Sequence, residues 1–228
     1  MLKHLPNFLT CCNLLCGCIG IVFLLEGRGI PAAYFVWISG IFDFFDGFVA
    51  RLVKANSPIG KELDSLADVV SFGVLPSVLL YQLLQNSTTS EILPFIAFSI
   101  AAFAAMRLAI FNLDETQSDS FKGLNTPAAT LFLTGLPFLP STITTYIFQP
   151  WALVALIIGL CLLMVSRIEF FALKFKNFSW ASNKIRYIFL LISVALLIIL
   201  QTAAISPIIL LYFLLSLLTI KNNVTQHV

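Results

Sequence analysis

Charge is scarce in this chain. Asp, Glu, Lys and Arg together make up 11% of its 228 residues, where a soluble domain uses about a quarter of its residues for that purpose. The shortage excludes an ordinary soluble globule. Neither sign dominates: 13 Lys and Arg stand against 11 Asp and Glu, for a net charge of +2. Composition therefore offers no basic surface to nucleic acid. The five cysteines show no disulfide framework. Four of them, Cys11, Cys12, Cys16 and Cys18, crowd into the first apolar run and pack easily there as small hydrophobes. Internal repeats, low-complexity tracts and an inverted half are all missing, which weighs against the repeat-built transporter folds. An A-x-A-like cleavage site is missing after Lys3 and His4 as well, so the first apolar run is expected to stay as a helix.

What the chain has instead is hydrocarbon. Hydrophobic residues make up 59% of it, and its mean hydropathy is +0.98. Apolar runs close to the ~20 residues that cross a bilayer as a helix recur along the whole length. The pattern predicts an all-α, polytopic membrane bundle forming one domain over residues 1–228. Its eight transmembrane helices are expected at about 8–26, 30–54, 60–83, 91–112, 125–147, 150–166, 184–202 and 205–220. Starting inside, eight crossings put Lys3, Arg51, Lys54, Lys61, Arg107, Lys122, Arg167, Lys174, Lys176, Lys184, Arg186 and Lys221 at cytoplasmic ends. Only Arg28 falls outside. That asymmetry predicts cytoplasmic termini. The segment carrying Arg167, Lys174, Lys176, Lys184 and Arg186 is interleaved with Phe170, Phe171, Phe175, Phe178 and Trp180. It reads either as an interfacial element meeting anionic lipid headgroups or as the ordinary bias of positive loops.

Four aspartates then stand where a membrane should exclude them. The second helix contains Asp43 and Asp46, followed by Gly47, Ala50 and Arg51; the third opens on Gly60, Asp64 and Asp68. At 100° per residue Asp43, Asp46, Gly47 and Ala50 share one side of their helix, while Gly60, Asp64, Asp68 and Ser71 share one side of theirs. The short link ending at Pro58 makes the two helices antiparallel neighbours, so the two pairs converge near the cytoplasmic end. Carboxylates persist inside a bilayer only when they face a polar interior or meet cations. No Cys or His sits beside them, and such an all-oxygen set suits a hard divalent ion, Mg²⁺ or Mn²⁺. Two ions close together would clamp a diphosphate, and the small Gly47 and Ala50 leave room for a flat base or sugar. The rival readings are a proton or cation path, or structural pairing with Arg51 and Lys54.

The full pattern is D-x-x-D-G-x-x-A-R, eight residues, then G-x-x-x-D-x-x-x-D, with every position filled. It resembles the signature of the CDP-alcohol phosphatidyltransferase family. The resemblance implies a six-helix core, usually dimeric, that moves a phosphatidyl or similar group from a CDP-linked donor to an alcohol and releases CMP. It implies that Asp43, Asp46 and Asp64 hold one metal ion and Asp43, Asp64 and Asp68 a second. Asp68 would be the general base, and Gly47, Ala50 and Arg51 would lie along the CDP moiety, with Gly60 beside them.

Further stretches resemble the phosphatidylserine synthase branch of that family. They are Asp64-Ser65-Leu66-Ala67-Asp68-Val69-Val70-Ser71-Phe72-Gly73, the opening Leu5 to Thr10 with Asn13, Met106 to Asn112, and Phe121 to Ala129. Ile110 and Asn125 depart from that branch's usual Arg and Pro. The implied donor is CDP-diacylglycerol, the implied acceptor L-serine, and the surroundings are membrane lipids. The same chemistry with glycerol 3-phosphate, an inositol phosphate or an aminoalcohol is the alternative, and an ion or proton transporter is the remote one. Arg107, alone among apolar neighbours, either binds the serine carboxylate or snorkels to the interface. Ser65, Ser71 and Lys122 complete the candidate acceptor set, with Lys122 alternatively a lipid-phosphate contact. Asn7 and Thr10 either hydrogen-bond the nucleotide or cap the first helix.

Overall fold

The computed structural model describes residues 2–55, 57–114, 120–171 and 179–225. Ten α-helices cover most of them. The first apolar run is α1 (Leu5–Leu25). A turn at Gly27, with φ +74°, reverses the chain into α2 (Gly29–Leu52). The two helices form an antiparallel hairpin, closed by the stacked rings of Phe23 and Phe35 at 5.1 Å. Ser57 starts the next helix: its hydroxyl accepts from the Gly60 N–H at 3.0 Å, and Pro58 fills a first-turn position whose N–H would have no partner. α3 (Pro58–Asp68) runs through a π-helical turn, Val69–Val74, into α4 (Leu75–Ser87).

Proline explains part of that irregular turn. Pro76 has no N–H for the carbonyl of Phe72, four residues back. The Phe72 oxygen instead accepts from the Thr130 hydroxyl at 2.7 Å. The irregularity thus lies before the proline, between Asp68 and Leu75. Ser77 links the next helix: its hydroxyl donates to the Gly73 carbonyl at 2.8 Å and accepts from Ala101 N–H at 3.1 Å. A 3₁₀ segment, Leu93–Phe98, leads into α5 (Ser99–Leu113).

The expected fifth span is broken. α6 (Thr126–Gly135) gives way to a 3₁₀ turn, then to α7 (Ser141–Ile147). α7 meets α8 (Pro150–Val165) at a 76° bend. Two short strands that the sequence reading had left inside loops pair antiparallel, with Phe121 opposite Phe170. Beside them Gly123 N–H donates to Ile168 O at 2.8 Å and Leu124 N–H to Leu163 O at 3.0 Å. The start of α6 is thereby fixed to the end of α8. α9 (Trp180–Leu200) and α10 (Ile205–Thr225) follow.

Judged by length and apolarity, the described residues contain five membrane-crossing stretches, or six if the bent α7–α8 pair is one span. The expectation was eight. α6 and α8, with 10 and 16 residues, fall short of the ~20 that a bilayer requires. The last stretch, Asn183–Leu218, has 36 residues, which as a straight helix would measure about 54 Å. It folds back at Gln201, whose φ is +51°, so that the Phe189 and Tyr212 rings lie 6.1 Å apart. The all-helical membrane class holds, and the chain is an integral membrane protein. Its outward side chains, such as Ile198 and Ile199 on α9, form an apolar surface suited to lipid and not to water. The interior divides into a cluster of α1, α2 and α4 side chains around Phe72 and Leu75 and a larger one around Ile100, Leu133 and Ile157.

Gly123 tests the packing of the α6 start. Its φ is +77°, and a Cβ there would run into the Met164 carbonyl. Gly123→Ala is expected to cost about 1–2 kcal/mol from the left-handed backbone alone, with the clash adding to it. Gly159→Ala, in α8 with open space around it, should be neutral or stabilising by about 1 kcal/mol. Thermal unfolding of the two variants in detergent compares them directly; equal midpoints would contradict this packing.

Candidate active site

The α2–α3 turn brings the four aspartates together as the helical spacing predicts. Oxygens of Asp43, Asp64 and Asp68 lie within 4.8 Å of one another. Asp46 stands beside them, 6% exposed, and Asp68 is equally buried. Among the described residues no cation pairs with any of the four; the ion pair found there joins Arg28 and Glu26 at 3.5 Å on the surface. Asp64 Oδ1 is buried without a hydrogen-bond partner among the described residues. A buried orphan oxygen beside two more carboxylates is costly unless something binds it. Carboxylate oxygens at this spacing are the ligand chemistry of a hard divalent ion. The residues fit such a metal, with no Lys or Arg holding them closed.

α1 supplies the polar contacts behind this cluster. Its Thr10 hydroxyl lies 2.6 Å from Asp46 Oδ2 and 3.1 Å from the Pro6 carbonyl. A hydroxyl has one proton, and the shorter contact to the carboxylate takes it. One turn on, Asn13 Nδ2 donates to Asp68 Oδ1 at 3.1 Å. Thr10 was expected at the nucleotide or as a cap; the structure bonds it to an aspartate. Asn13 entered the sequence reading only through the resemblance of the chain's opening. A polar pair three residues apart, Thr10 and Asn13 in an apolar helix, was the signal that could have found this contact face.

A cavity of about 530 Å³ opens beside the cluster. Asn7, Thr10, Gly47, Ala50 and Gly60 line it together with Asp46 and Asp64, so five of the six residues expected around a nucleotide share one wall system. Arg51 is the sixth: it is exposed, and its guanidinium lies over Gly47, 3.6 Å from where a Cβ would stand. The sequence reading had no role here for Pro6, Ser57 or Lys61, which also line the cavity. Lys61 Nζ donates to the Asn112 carbonyl at 2.6 Å, and Asn112 Nδ2 donates to Ser65 Oγ at 2.8 Å. This clasp ties α3 to the end of α5.

Beyond the clasp lies a second cavity, about 660 Å³, between the ends of α5 and α8. Arg107 lines it with Phe111, Asp114, Ser166 and Arg167. Arg107 is 7% exposed, its Nε is buried without a partner among the described residues, and its guanidinium stands 5.3 Å from the Phe111 ring centre. It lies within electrostatic reach of Asp68. Of the other acceptor candidates, Ser65 is engaged in the clasp and also donates to Lys61 O at 3.2 Å. Ser71 is fully buried and donates to the Asn13 carbonyl at 3.0 Å, which places it against α1 and lining neither cavity. The Lys122 side chain lies outside the described residues, as do Lys174 and Lys176.

Two variants probe this geometry. Asp64→Asn removes charge from the centre of the cluster and should abolish Mn²⁺ binding measured by electron paramagnetic resonance; unchanged Mn²⁺ uptake would sink the metal reading. Ala50→Leu pushes a branched side chain into the first cavity and should weaken nucleotide binding at least tenfold while helical content is kept. Equal affinity in the variant would move the nucleotide to another wall.

The family model of CDP-alcohol phosphatidyltransferase matches residues 3–155, the stretch that holds all four aspartates, both sides of the first cavity and Arg107. A Bacillus subtilis protein named CDP-diacylglycerol–serine O-phosphatidyltransferase is 35% identical over 173 residues, covering 74% of this chain and 90% of its own length. A protein of the same name from Methanocaldococcus jannaschii is 36% identical over 166 residues, 73% of each chain. One from Saccharomyces cerevisiae is 34% identical over 151 residues, 59% of this chain and 54% of its own. With its signature complete and folded into one carboxylate cluster beside a cavity, the chain belongs to the CDP-alcohol phosphatidyltransferase family.

Proposed function

We propose that this chain is a phosphatidylserine synthase, which transfers the phosphatidyl group of CDP-diacylglycerol to the hydroxyl of L-serine and releases CMP. The observation that carries the chemistry is the carboxylate cluster of Asp43, Asp64 and Asp68, which Asp64 joins to a cavity that it lines together with Asp46, Gly47, Ala50 and Gly60. The serine acceptor is supported by the names of the relatives that align with nearly three quarters of the chain. Two Mg²⁺ or Mn²⁺ ions would be held by the four aspartates, where they neutralise the diphosphate and favour departure of CMP. Dependence on a divalent metal is general in the family.

The chain's own residues do the rest. Gly47, Ala50 and Gly60 let the nucleotide lie close to the helix backbones, and Asn7 offers its amide at the mouth of the cavity. Arg51, exposed over Gly47, takes the outer side of the CDP moiety. Asp68 accepts the proton of the serine hydroxyl as the oxygen attacks phosphorus. Its Oδ1 is occupied by Asn13, which leaves Oδ2 for that proton. Among the described residues no Cys or His joins the carboxylate cluster or lines the first cavity, which supports direct attack. The serine carboxylate meets Arg107 in the second cavity, whose planar guanidinium presents a free buried Nε–H and suits a carboxylate better than an ammonium would.

The same reading extends to topology. We place α1, α2, α3–α4, α5, α6–α7 and α8 as a six-helix core, with the short α6 completed by α7 and the 16-residue α8 crossing where the bilayer thins around it, and the α9–α10 hairpin as an addition, for eight crossings with both termini and the site on the cytoplasmic side. The positive residues at those ends support it. The chain would act as a homodimer, as the family resemblance implies.

Purified protein given CDP-diacylglycerol, Mg²⁺ or Mn²⁺ and L-serine should release CMP and form phosphatidylserine, with glycerol 3-phosphate and inositol phosphates poor substitutes. Headgroup analysis of the product decides the acceptor, and preference for glycerol 3-phosphate would move the chain to another branch. Arg107→Ala should raise the serine KM roughly ten- to hundredfold, the worth of about 1.5–3 kcal/mol for a buried charge-assisted contact. Arg107→Lys should recover only part of it. Serine kinetics untouched by Arg107→Ala would make that arginine an anchor at the interface.

A further inference from the structure

Asn13 is fully buried in the middle of α1, in a helix whose other buried side chains are small or apolar apart from Thr10. Its amide is incompletely used. Nδ2 donates to Asp68 Oδ1 at 3.1 Å, while its own Oδ1 is buried with no hydrogen-bond partner among the described residues. The reverse orientation would set that oxygen against a carboxylate, which offers no proton when ionised, so the donor faces Asp68. A buried polar oxygen without a partner costs free energy relative to an apolar side chain of the same shape. Packing alone would favour leucine here, which branches at the same carbon.

The backbone at this residue is fixed from two further directions. The Asn13 carbonyl accepts the Ser39 hydroxyl of α2 at 3.1 Å and the Ser71 hydroxyl of the π turn at 3.0 Å. Gly17, one turn on, has no side chain where Ser71 packs, which lets the π turn close up on α1. Three elements therefore hold the peptide that carries the Asn13 amide. The residue that the amide grips, Asp68, is the last before the π turn, where the regular helix ends and a side chain's direction is least determined by its own helix.

We propose that Asn13 is a positioning residue for the reaction: it holds the Asp68 carboxylate by one oxygen, so that the other is presented to the metal cluster and the acceptor hydroxyl in one orientation. The Ser39 and Ser71 bonds to its carbonyl pack α2 and the π turn against α1. The inference rests on the phosphatidyl-transfer reading for the role of Asp68, and on this chain's hydrogen bonds for the role of Asn13. Neighbours of metal-bound side chains commonly change metal affinity or activity ten- to hundredfold when removed.

The test uses the full-length protein with Asn13→Leu and, should the larger side chain overpack, Asn13→Ser. Ser39→Ala serves as the packing control, since it removes one bond to the Asn13 backbone and leaves the amide. For Asn13→Leu we expect kcat for CMP release to fall roughly ten- to hundredfold, with the KM for CDP-diacylglycerol changed less than about threefold. Mn²⁺ titration followed by electron paramagnetic resonance should shift to higher metal, while the thermal midpoint changes little, since the orphan Asn13 oxygen is gone but Asp68 Oδ1 loses its donor. Asn13→Ser, which keeps a shorter donor, should fall between Asn13→Leu and the unaltered protein. The proposal is overturned if kcat and the Mn²⁺ titration are both unchanged in Asn13→Leu. It is equally overturned if activity and thermal midpoint fall together in both Asn13 variants to the extent seen in Ser39→Ala. Should the unaltered protein make no phosphatidylserine, the acceptor assignment fails on its own, while the Mn²⁺ titration and thermal midpoints still report on Asn13.

Discussion

Four carboxylates inside a helical membrane bundle repel one another and resist leaving water, and both effects grow as the surroundings become less polar. The rest of the structure is arranged around that cost. Asp46 and Asp68 each receive a hydrogen bond from α1, through Thr10 and Asn13. Asp43 and Asp64 are turned toward the centre, where Asp64 keeps an oxygen without a partner among the described residues. A chain that needed the charges only for structure would pair them with Arg51 or Lys54, which lie within a few residues. Arg51 is instead exposed, and Lys61, at the cavity wall, is drawn to the Asn112 carbonyl. The basic side chains nearest in sequence are held off the cluster, which leaves it open to a cation from outside.

The two cavities meet the Lys61–Asn112–Ser65 clasp from different ends, Lys61 lining the first and Phe111, next to Asn112, lining the second. The first is bounded by α1, α2 and α3; the second lies between the ends of α5 and α8. In the proposed reaction this division is useful. A nucleotide must leave after the phosphatidyl group moves, while an amino acid must enter without displacing it. Asn13 of α1 bonds Asp68 directly, while Arg107 stays over Phe111 at the second cavity. The π turn after Asp68 lets α3 present its aspartates to α2 while α4 continues in register with α5 through Ser77.

Much of this could be read from the residues. The helical spacing of Asp43, Asp46, Asp64 and Asp68 is a rigid consequence of 3.6 residues per turn, and a short link ended by Pro58 leaves two adjacent helices few ways to lie. The first cavity was legible for the same reason, since Gly47, Ala50 and Gly60 share those faces. The number of crossings was less so. Hydropathy cannot see that α6 stops after 10 residues or that α7 and α8 meet at 76°, because a break within apolar sequence leaves no change of composition. The two strands beside Gly123 were hidden because three residues are too few to show a period of two. Ser71 shares the helical face of Gly60, Asp64 and Asp68 in a regular helix, which is why it was grouped with the acceptor residues. The structure keeps Ser71 on the α1 side with Asp68, but its hydroxyl is taken by the Asn13 carbonyl.

That contact with α1 bears on how a short sequence motif becomes a site. The fixed positions from Asp43 to Asp68 specify two helices and their facing sides, but nothing within them states which oxygen of each carboxylate is free. α1 provides that information from outside the motif, with Thr10 taking Oδ2 of Asp46 and Asn13 taking Oδ1 of Asp68. Its own position is fixed by close approaches: Gly17 against Ser71 and Gly20 against Leu75, where a Cβ would collide. Small residues at such contacts let helix backbones approach closely in a membrane, where the hydrophobic effect no longer drives helices together. The aspartates bring the charge, and the glycines of α1 bring the polar groups near enough to orient it. Neither set would form this site alone, because an unoriented carboxylate in a dry interior has no reason to present one oxygen rather than the other.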